Sequence, residues 1–454
     1  MSRDPGQRYR FGPRERGGGI AGWRAGQIVT VAIGLLLGVL ALRWQPDAAG
    51  VVAAIGILVL FGALATVPVA SRTGDEWLPV TVCWAVRRVG WPGRRPLGTF
   101  RGLRLLQTGW HGMGVIHDSR ARTLTAALAV RGRSFALLGA DEQDRRVGAW
   151  ASVLASLARE GSPVHRVQWV AATFPDDGRG VRDYVASAAD PGASSACSAS
   201  YESLLEDMDS HACAHDLVLA VQVRVTKSIE VGCAALAREL GSLVRQLGDA
   251  EVQVDAVLGS DALACCMLRS YEPVAASAGS DWSEGDPWPM AMEERWSSVR
   301  VDGMVHATFW VAEWPRVEVR SDFLAPVLLG ATRATLAVVM APLGSDVALR
   351  KVEASRTADL ADAELRRRGG FVSTARQARE SEVLARREAE LAEGHASFRY
   401  SGYLTVSAPS AEELESVVDA VQHAAGQSRL ALRRLYGDQA SAYTCTLPFC
   451  RGLR

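Results

Sequence analysis

His211, Cys213 and His215, in the run "HACAH", are the residues whose spacing comes nearest to metal chemistry. On an extended backbone they share one face and offer two imidazoles and a thiolate, three of the four ligands that zinc takes. No fourth ligand lies nearby, so the run reads as a polar lead into a strand beginning at Asp216. Asp176 and Asp177 pair two carboxylates, as acid–base catalysis requires, but Pro-Asp-Asp-Gly is turn composition. Cys265 and Cys266 fall on an apolar helical stretch and read as core. The eight cysteines contain no C-x-x-C pair and read as reduced side chains of an intracellular body. Neither lysine, Lys227 or Lys351, follows the glycine loop that cradles nucleotide phosphates. H-E-x-x-H, G-x-S-x-G and the kinase signatures are missing too. The expectation is a protein without catalytic residues, metal or cofactor.

With no chemistry in the motifs, the distribution of charge and apolar residues carries the argument. The chain of 454 residues balances 50 basic against 50 acidic side chains. Residues 1–104 hold 14 basic and 5 acidic groups, about +9, and the remainder compensates. A basic leader on an acidic body suits an anionic membrane surface better than a nucleic-acid groove, so direct nucleic-acid binding is not expected. Of the 50 basic residues 48 are arginine, which reads as coding bias.

The leader contains two uncharged runs. Ala25 to Leu42 is broken only by Gln27 and Thr30, and Ala48 to Ala70 only by Thr66 and Pro68. A bilayer core takes ~20 apolar residues as helix, and both runs meet that length, the first narrowly. Each carries at least ten Ile, Val, Leu or Phe side chains. At roughly −0.3 to −0.6 kcal/mol apiece they favour insertion by a few kcal/mol per helix. The 24 residues before the first run and the second run five residues on distinguish this pattern from a signal peptide. Arginines precede the first run, up to Arg24, and follow the second from Arg72, whereas the turn has only Arg43 against Asp47. The positive-inside rule then predicts a plasma-membrane hairpin with both chain ends cytoplasmic and the turn outside. Trp23, Trp44 and Trp77 sit where interfacial aromatics would anchor it, and Gly34-x-x-x-Gly38 could let the helices touch.

The rest predicts an α+β body in segments. Residues 1–24 form a basic cytoplasmic N-terminus and 25–70 the hairpin. Residues 71–120 read as a basic, membrane-proximal strand-and-turn segment with short apolar stretches such as Pro79 to Trp84. Residues 121–276 form a first α/β subdomain. "TLTAALAVRGRSFALL" alternates as a strand pair, and residues 139–161 form a helix. Strands follow at 164–173, 216–225 and 252–258, with helices near 200–209 and 230–247. Residues 277–300 read as a linker. Residues 301–454 form a second subdomain, with strands at 304–313, 334–340, 397–407 and 430–435. Ser410 and Glu413 make a capping box opening a helix to Gln427. Strand, helices, strand, helix, strand is the order of a ferredoxin-like unit. Between the strands, 347–393 is a charged helical arm, broken at Gly369-Gly370 and laced by the i,i+4 pairs Arg376/Glu380 and Arg386/Glu390. A solvated face explains those charges, and the arm also offers a partner-docking surface.

Several stretches resemble an actinobacterial family of two-helix membrane proteins found beside conjugation or type IV secretion ATPases. They are "RYRFGPRERGG", "AVRGRSFALL", "WASVLASLAREGSPVHRVQWV", "FWVAEWPRVEVRSDFLAPVLLG", "RTADLADAELRRRGGF" and "LRRLYGDQASAYTCTLP". The family looks like a PrgI-like hairpin fused to the N-terminal half of a VirB/TraC-type ATPase. Trp314-Pro315 and Gln439 with Leu447-Pro448 are similar to marks of that half, and the motor domain is missing. The resemblance implies a non-enzymatic membrane platform, working in an oligomer, to which a separate ATPase or neighbouring channel subunits bind. Two alternatives stand beside it: an EccE-like subunit of a type VII secretion complex, and a membrane-tethered enzyme of unknown chemistry.

Overall fold

A computed structural model describes residues 25–67, 73–90, 96–132, 138–175, 179–188, 195–209, 213–271, 287–344 (apart from 318, 321 and 331) and 396–453, with the isolated residues 135, 350, 353, 354 and 357. The chain opens with two apolar helices, α1 (Ala25–Trp44) and α2 (Ala48–Thr66), and a third, α3 (Gly74–Gly90). The strand-and-turn reading of 71–120 is corrected over 74–90, because Pro79 to Trp84 is helical, while strands do form at Leu103–Gln107 and Gly114–Asp118. Asp75 and Glu76 in the first turn favour the positive end of a helix dipole, whereas Pro79, the sixth residue of α3, lies past the first turn and removes one intrahelical hydrogen bond.

The body is α+β and built on a single antiparallel sheet. In chain order come β1 (Leu103–Gln107), β2 (Gly114–Asp118), β3 (Thr123–Arg131), α4 (Ala140–Leu157), β4 (Val164–Pro175), α5 (Arg179–Ala188) and α6 (Ser195–Asp209). Then follow β5 (Cys213–Arg224), α7 (Ile229–Asp249), β6 (Gln253–Val257) and α8 (Ser260–Tyr271). The chain continues with β7 (Met292–Glu294), β8 (Val299–Val301), β9 (Met304–Glu313), α9 (Ala325–Leu328) and β10 (Ala334–Leu343). It closes with β11 (Ser397–Ala408), α10 (Ala411–Gln427), β12 (Ala431–Arg434) and α11 (Gln439–Tyr443).

Among the described residues twelve strands pair in the order β1-β2-β3-β5-β4-β10-β11-β9-β8-β7, with β6 beside β3 and β12 beside β9. The same sub-order therefore occurs twice, as β6-β3-β5-β4 and as β12-β9-β11-β10. In each set a hairpin, β1-β2 or β7-β8, pairs with the start of the first strand. The sets join through β4 and β10, with Val170 opposite Ala337 at the middle of the seam. Two expectations change as a result. Residues 292–294 and 299–300, assigned to a linker, belong to sheet strands, and the two expected subdomains share one continuous sheet. Of the strand pair expected over 123–138, the first strand is present and ends at Arg131, while residues 133, 134, 136 and 137 lie outside the described residues.

Helical stripes cover one face of this sheet. α7 buries Leu236, Leu240, Leu243 and Leu247, each worth ~2 kcal/mol, against Leu124, Val167 and Leu219. α10 presents Leu414, Val418, Val421 and Ala425 at the same spacing to Val305, Ala307, Phe309 and Val311 of β9. Its start is the expected capping box, with Glu413 N–H donating to Ser410 Oγ at 3.2 Å.

On the other face lie α8, α11 and a C-terminal strap, so the sheet is covered on both sides. Ala442 to Cys450 are all buried. The strap has no ladder partner, and polar side chains of the sheet hold its main chain instead. Gln168 Nε2 donates to Cys445 O at 2.9 Å and its Oε1 accepts from Cys450 N–H at 2.6 Å. Gln222 Nε2 donates to Phe449 O at 3.0 Å. Arg166 donates to Cys450 O and Leu453 O at 3.0 and 2.9 Å. Arg451 closes the strap on Asp118 at 2.6 Å. Burial alone would raise the Asp118 pKa, but Arg451 and the N–H groups of Ala121 and Arg120 outweigh it and hold the carboxyl below its usual range. Glycine is required at Gly452, where φ is +111° and the Tyr403 ring lies against the backbone.

Candidate membrane anchor and its seating on the body

α1 and α2 pack antiparallel and leave most of their surface uncovered. On α2 only Gly50, Ala54 and Ala65 are buried. Leu36, Val52 and Val59 are 69%, 70% and 66% exposed. Both helices are long and apolar enough to cross a membrane, and each is less than a fifth buried, unlike a core helix. The polar groups inside the hairpin are satisfied locally, as a hydrocarbon setting demands. Gln27 Nε2 donates to Ala65 O at 2.8 Å, Thr30 Oγ1 to Gly26 O at 2.9 Å and Thr66 Oγ1 to Gly62 O at 2.8 Å.

The two expected interface glycines differ. A Cβ on Gly34 would lie 2.5 Å from Phe61 Cβ, whereas one on Gly38 would meet nothing nearer than Ala54 O at 3.7 Å. Close approach is therefore built on Gly34 alone. Trp44 is 83% exposed at the tip, with Leu42 and Ala48 exposed on either side of the turn. Ala25 begins α1. Trp23, Arg24, Ala70 and Arg72 lie outside the described residues.

Trp77, expected as a membrane-interface anchor, enters an aromatic cluster that joins α3 to the body. It stacks on Trp296 at 5.8 Å and meets Tyr436 at 5.4 Å, while Trp84 meets Trp296 edge-on at 5.2 Å. Gly437, at φ +70°, lets the chain pass under Trp296 and Val80. Glu76 completes the joint with a salt bridge to Arg433 at 3.1 Å, both side chains largely buried. Sequence reasoning missed Trp84, Trp296, Tyr436, Glu76 and Arg433. The visible signal was Trp77 and Trp84 at i,i+7, one face of a helix, and it was lost once that segment was read as strand.

The motifs with possible chemistry are placed as follows. Cys213 and His215 start β5, where His215 Nδ1 lies 3.1 Å from Thr173 Oγ1. His211, Asp176, Asp177 and Lys351 lie outside the described residues. Among the described residues no cluster of three His, Cys, Asp or Glu side chains could hold a metal ion. Cys266 packs on the apolar layer under α8, where burial, with the Asp216 carboxylate, pushes its thiol up to about 12. His306 is fully buried, with Nδ1 2.7 Å from Ser407 Oγ and the Tyr443 ring tilted against it at 4.4 Å. Burial, with Arg333 nearby, lowers its pKa to about 3 and keeps it neutral. Gln439 is equally buried and bonds the Thr308 main chain, and Trp314 packs on Tyr400, so both have structural partners.

The docking candidates Gly369, Gly370, Arg376, Glu380, Arg386 and Glu390 lie outside the described residues. The body offers another face, at the outer edge of β1, which pairs only with β2 among the described residues. Thr108 N–H bonds Met113 O and Ser119 N–H bonds Gly102 O, so strand alternation turns the main-chain groups of Leu105 and Gln107 away from β2. An open slot of about 850 Å3 runs beside this edge, lined by Arg101, Arg104, Asp261 and Trp288 among others. No protein-family model matches the chain, and no curated protein matches its sequence.

Proposed function

We propose that this chain is a non-enzymatic, membrane-anchored component of a type IV-like conjugation or secretion apparatus, whose body docks a separate ATPase at the cytoplasmic face. One observation carries the reading: an uncovered apolar hairpin is fastened through α3 to a body whose interior polar groups are engaged in holding its own strap. Gln168, Gln222, Arg166 and Asp118 bond that segment, which leaves them unsuited to turning over a substrate. The resemblance of "FWVAEWPRVEVRSDFLAPVLLG" and the closing "LRRLYGDQASAYTCTLP" to the non-motor half of secretion ATPases supports the assignment to that machinery.

The finer architecture belongs to the same proposal. Each set, β3-α4-β4-β5-α7-β6 and β9-α9-β10-β11-α10-β12, reads as a ferredoxin-like unit with its fourth, first, third and second strands side by side. The units are joined about a pseudo-twofold at Val170 and Ala337. The arginine bias around the hairpin puts its two ends, and with them the body, on the cytoplasmic side of the plasma membrane. Lipid, the ATPase, other membrane subunits and further copies are the partners. An extended acidic segment of the ATPase adds to the β1 edge, where Arg101 and Arg104 are exposed. Crosslinking in native membranes followed by partner identification tests the reading. Recovery of a conjugation-type ATPase supports it. Recovery of type VII subunits, or stoichiometric zinc or tight ATP binding on the purified protein, overturns it.

A further inference from the structure

Beyond the two spanning helices, a second apolar surface runs along α3. Leu78, Val82 and Val86 are 68%, 52% and 58% exposed and repeat every four residues. The other exposed positions between them, Pro79, Thr81, Cys83 and Ala85, carry no charge. The charged residues of the helix start face elsewhere: Glu76 bonds Arg433, and Asp75 packs beside Gly26 of α1. The opposite face is occupied by Trp77 and Trp84 against the body. At its N-terminal end the ridge runs into a groove of about 500 Å3 between α2 and α3. Leu60, Ala63, Leu64 and Val67 line one wall, and Gly74, Trp77, Leu78 and Thr81 the other. Gly74 permits this approach, because a Cβ there would fall 2.7 Å from Leu64 O. Among the described lining residues the one hydroxyl, Thr81 Oγ1, is bonded to Trp77 O and Leu78 O at 3.0 Å.

We infer that α3 is an interfacial helix sunk into the body-side leaflet, and that the α2–α3 groove takes a lipid acyl chain. The inference rests on the reading of α1 and α2 as a membrane hairpin. Depth follows from length. The 19 residues of α2, at ~1.5 Å each, match a hydrocarbon core of ~30 Å, so its last two turns lie in the leaflet nearest the body. Those turns form the groove wall, which fixes the ridge of α3 at the same level. The surface is continuous with the hairpin, and among the described residues it presents apolar side chains rather than charges for a partner to read. Acyl chains need none, whereas a protein interface would ordinarily carry hydrogen bonds. The aromatic joint of Trp77, Trp84, Trp296 and Tyr436 then lies at headgroup level, where indole and phenol rings are favoured. Such a seat holds the sheet at a defined height beneath the bilayer instead of on a loose tether.

The test is photocrosslinking of the full chain in phosphatidylcholine–phosphatidylglycerol vesicles, with benzoylphenylalanine placed singly at Val59, Val82 or Val231. All three side chains are exposed, on α2, α3 and α7 respectively, so the substitutions leave the core alone. Lipid adducts at 59 and 82, and their loss at 231, are expected. Adducts at 59 but none at 82 overturn the interfacial helix while leaving the membrane hairpin in place. A chain-to-chain adduct at 82 overturns it in favour of a second copy. No lipid adduct at 59 overturns the hairpin reading itself.

Discussion

Replacing Gln168 with Leu tests whether the strap is held by sheet side chains rather than by apolar packing. Gln168 is fully buried, and its two bonds satisfy Cys445 C=O and Cys450 N–H, both on buried residues. Leucine has nearly the same volume but leaves both main-chain groups unpaired, at ~1–3 kcal/mol each. The apolar gain of leucine offsets part of that loss, so a net ~2–4 kcal/mol is expected. The strap stays in place, because Arg166 and Gln222 still bond Cys450 O, Leu453 O and Phe449 O. Hydrogen exchange reads the change locally. Amides of 444–453 should exchange roughly 30- to 1,000-fold faster, since every ~1.4 kcal/mol is tenfold. Amides of α7, on the opposite face, should not change. Unaltered exchange in the strap would refute the reasoning, and so would a uniform loss of protection throughout the body.

Other perturbations separate the remaining claims. Neutral burial of His306 makes stability depend on pH: the unfolded chain takes up its proton below ~6.5, while the folded chain resists until about 3. Stability should therefore be complete above ~6.5 and fall as pH drops toward 3. His165, held down to about 4 by burial and by Arg224, Arg166 and Arg399, acts in the same direction. His306→Phe should then reduce, without abolishing, the acid-side slope in denaturant titrations, and an unchanged slope would contradict the assignment. In the hairpin, Gly34→Ala should cost ~1–3 kcal/mol through collision with Phe61, read as a lower melting temperature in detergent. Gly38→Ala should stay within ~0.5 kcal/mol, and equal effects at the two sites would count against the packing described. Duplex DNA should bind the purified protein weakly at physiological salt, and a steep salt dependence typical of many phosphate contacts would count against a docking role.

Periodicity made much of this architecture readable from the sequence. The stripes of α7 and α10 and the capping box at Ser410 and Glu413 stand where pattern placed them, because one-sided burial of a helix imposes a period; β9 and β11 also stand where they were read, although burial on both faces leaves them little alternation. The apolar runs were legible for the opposite reason, since 69% exposure at Leu36 and 70% at Val52 leaves no sidedness to find. What escaped has no local period. The strap from Thr444 to Cys450 is irregular chain whose bonds come from Gln168 and Gln222, more than 220 residues away. β7 and β8 are three residues each, too short to register against the Pro- and Gly-rich composition around them. α3 was concealed by Pro79 and β-branched Val80, Thr81 and Val82, which suggest strand until Trp77 and Trp84 are seen to share one helical face. The seam between β4 and β10 joins residues about 170 apart, and only the folded chain reveals it.

Alkaline carbonate extraction of membranes from cells expressing the full chain tests the central claim most directly. Retention in the pellet, with release only by detergent, is the result expected of two helices whose apolar surfaces face lipid. Release into the supernatant at high pH without detergent would contradict it and remove the basis for placing the body beneath a bilayer.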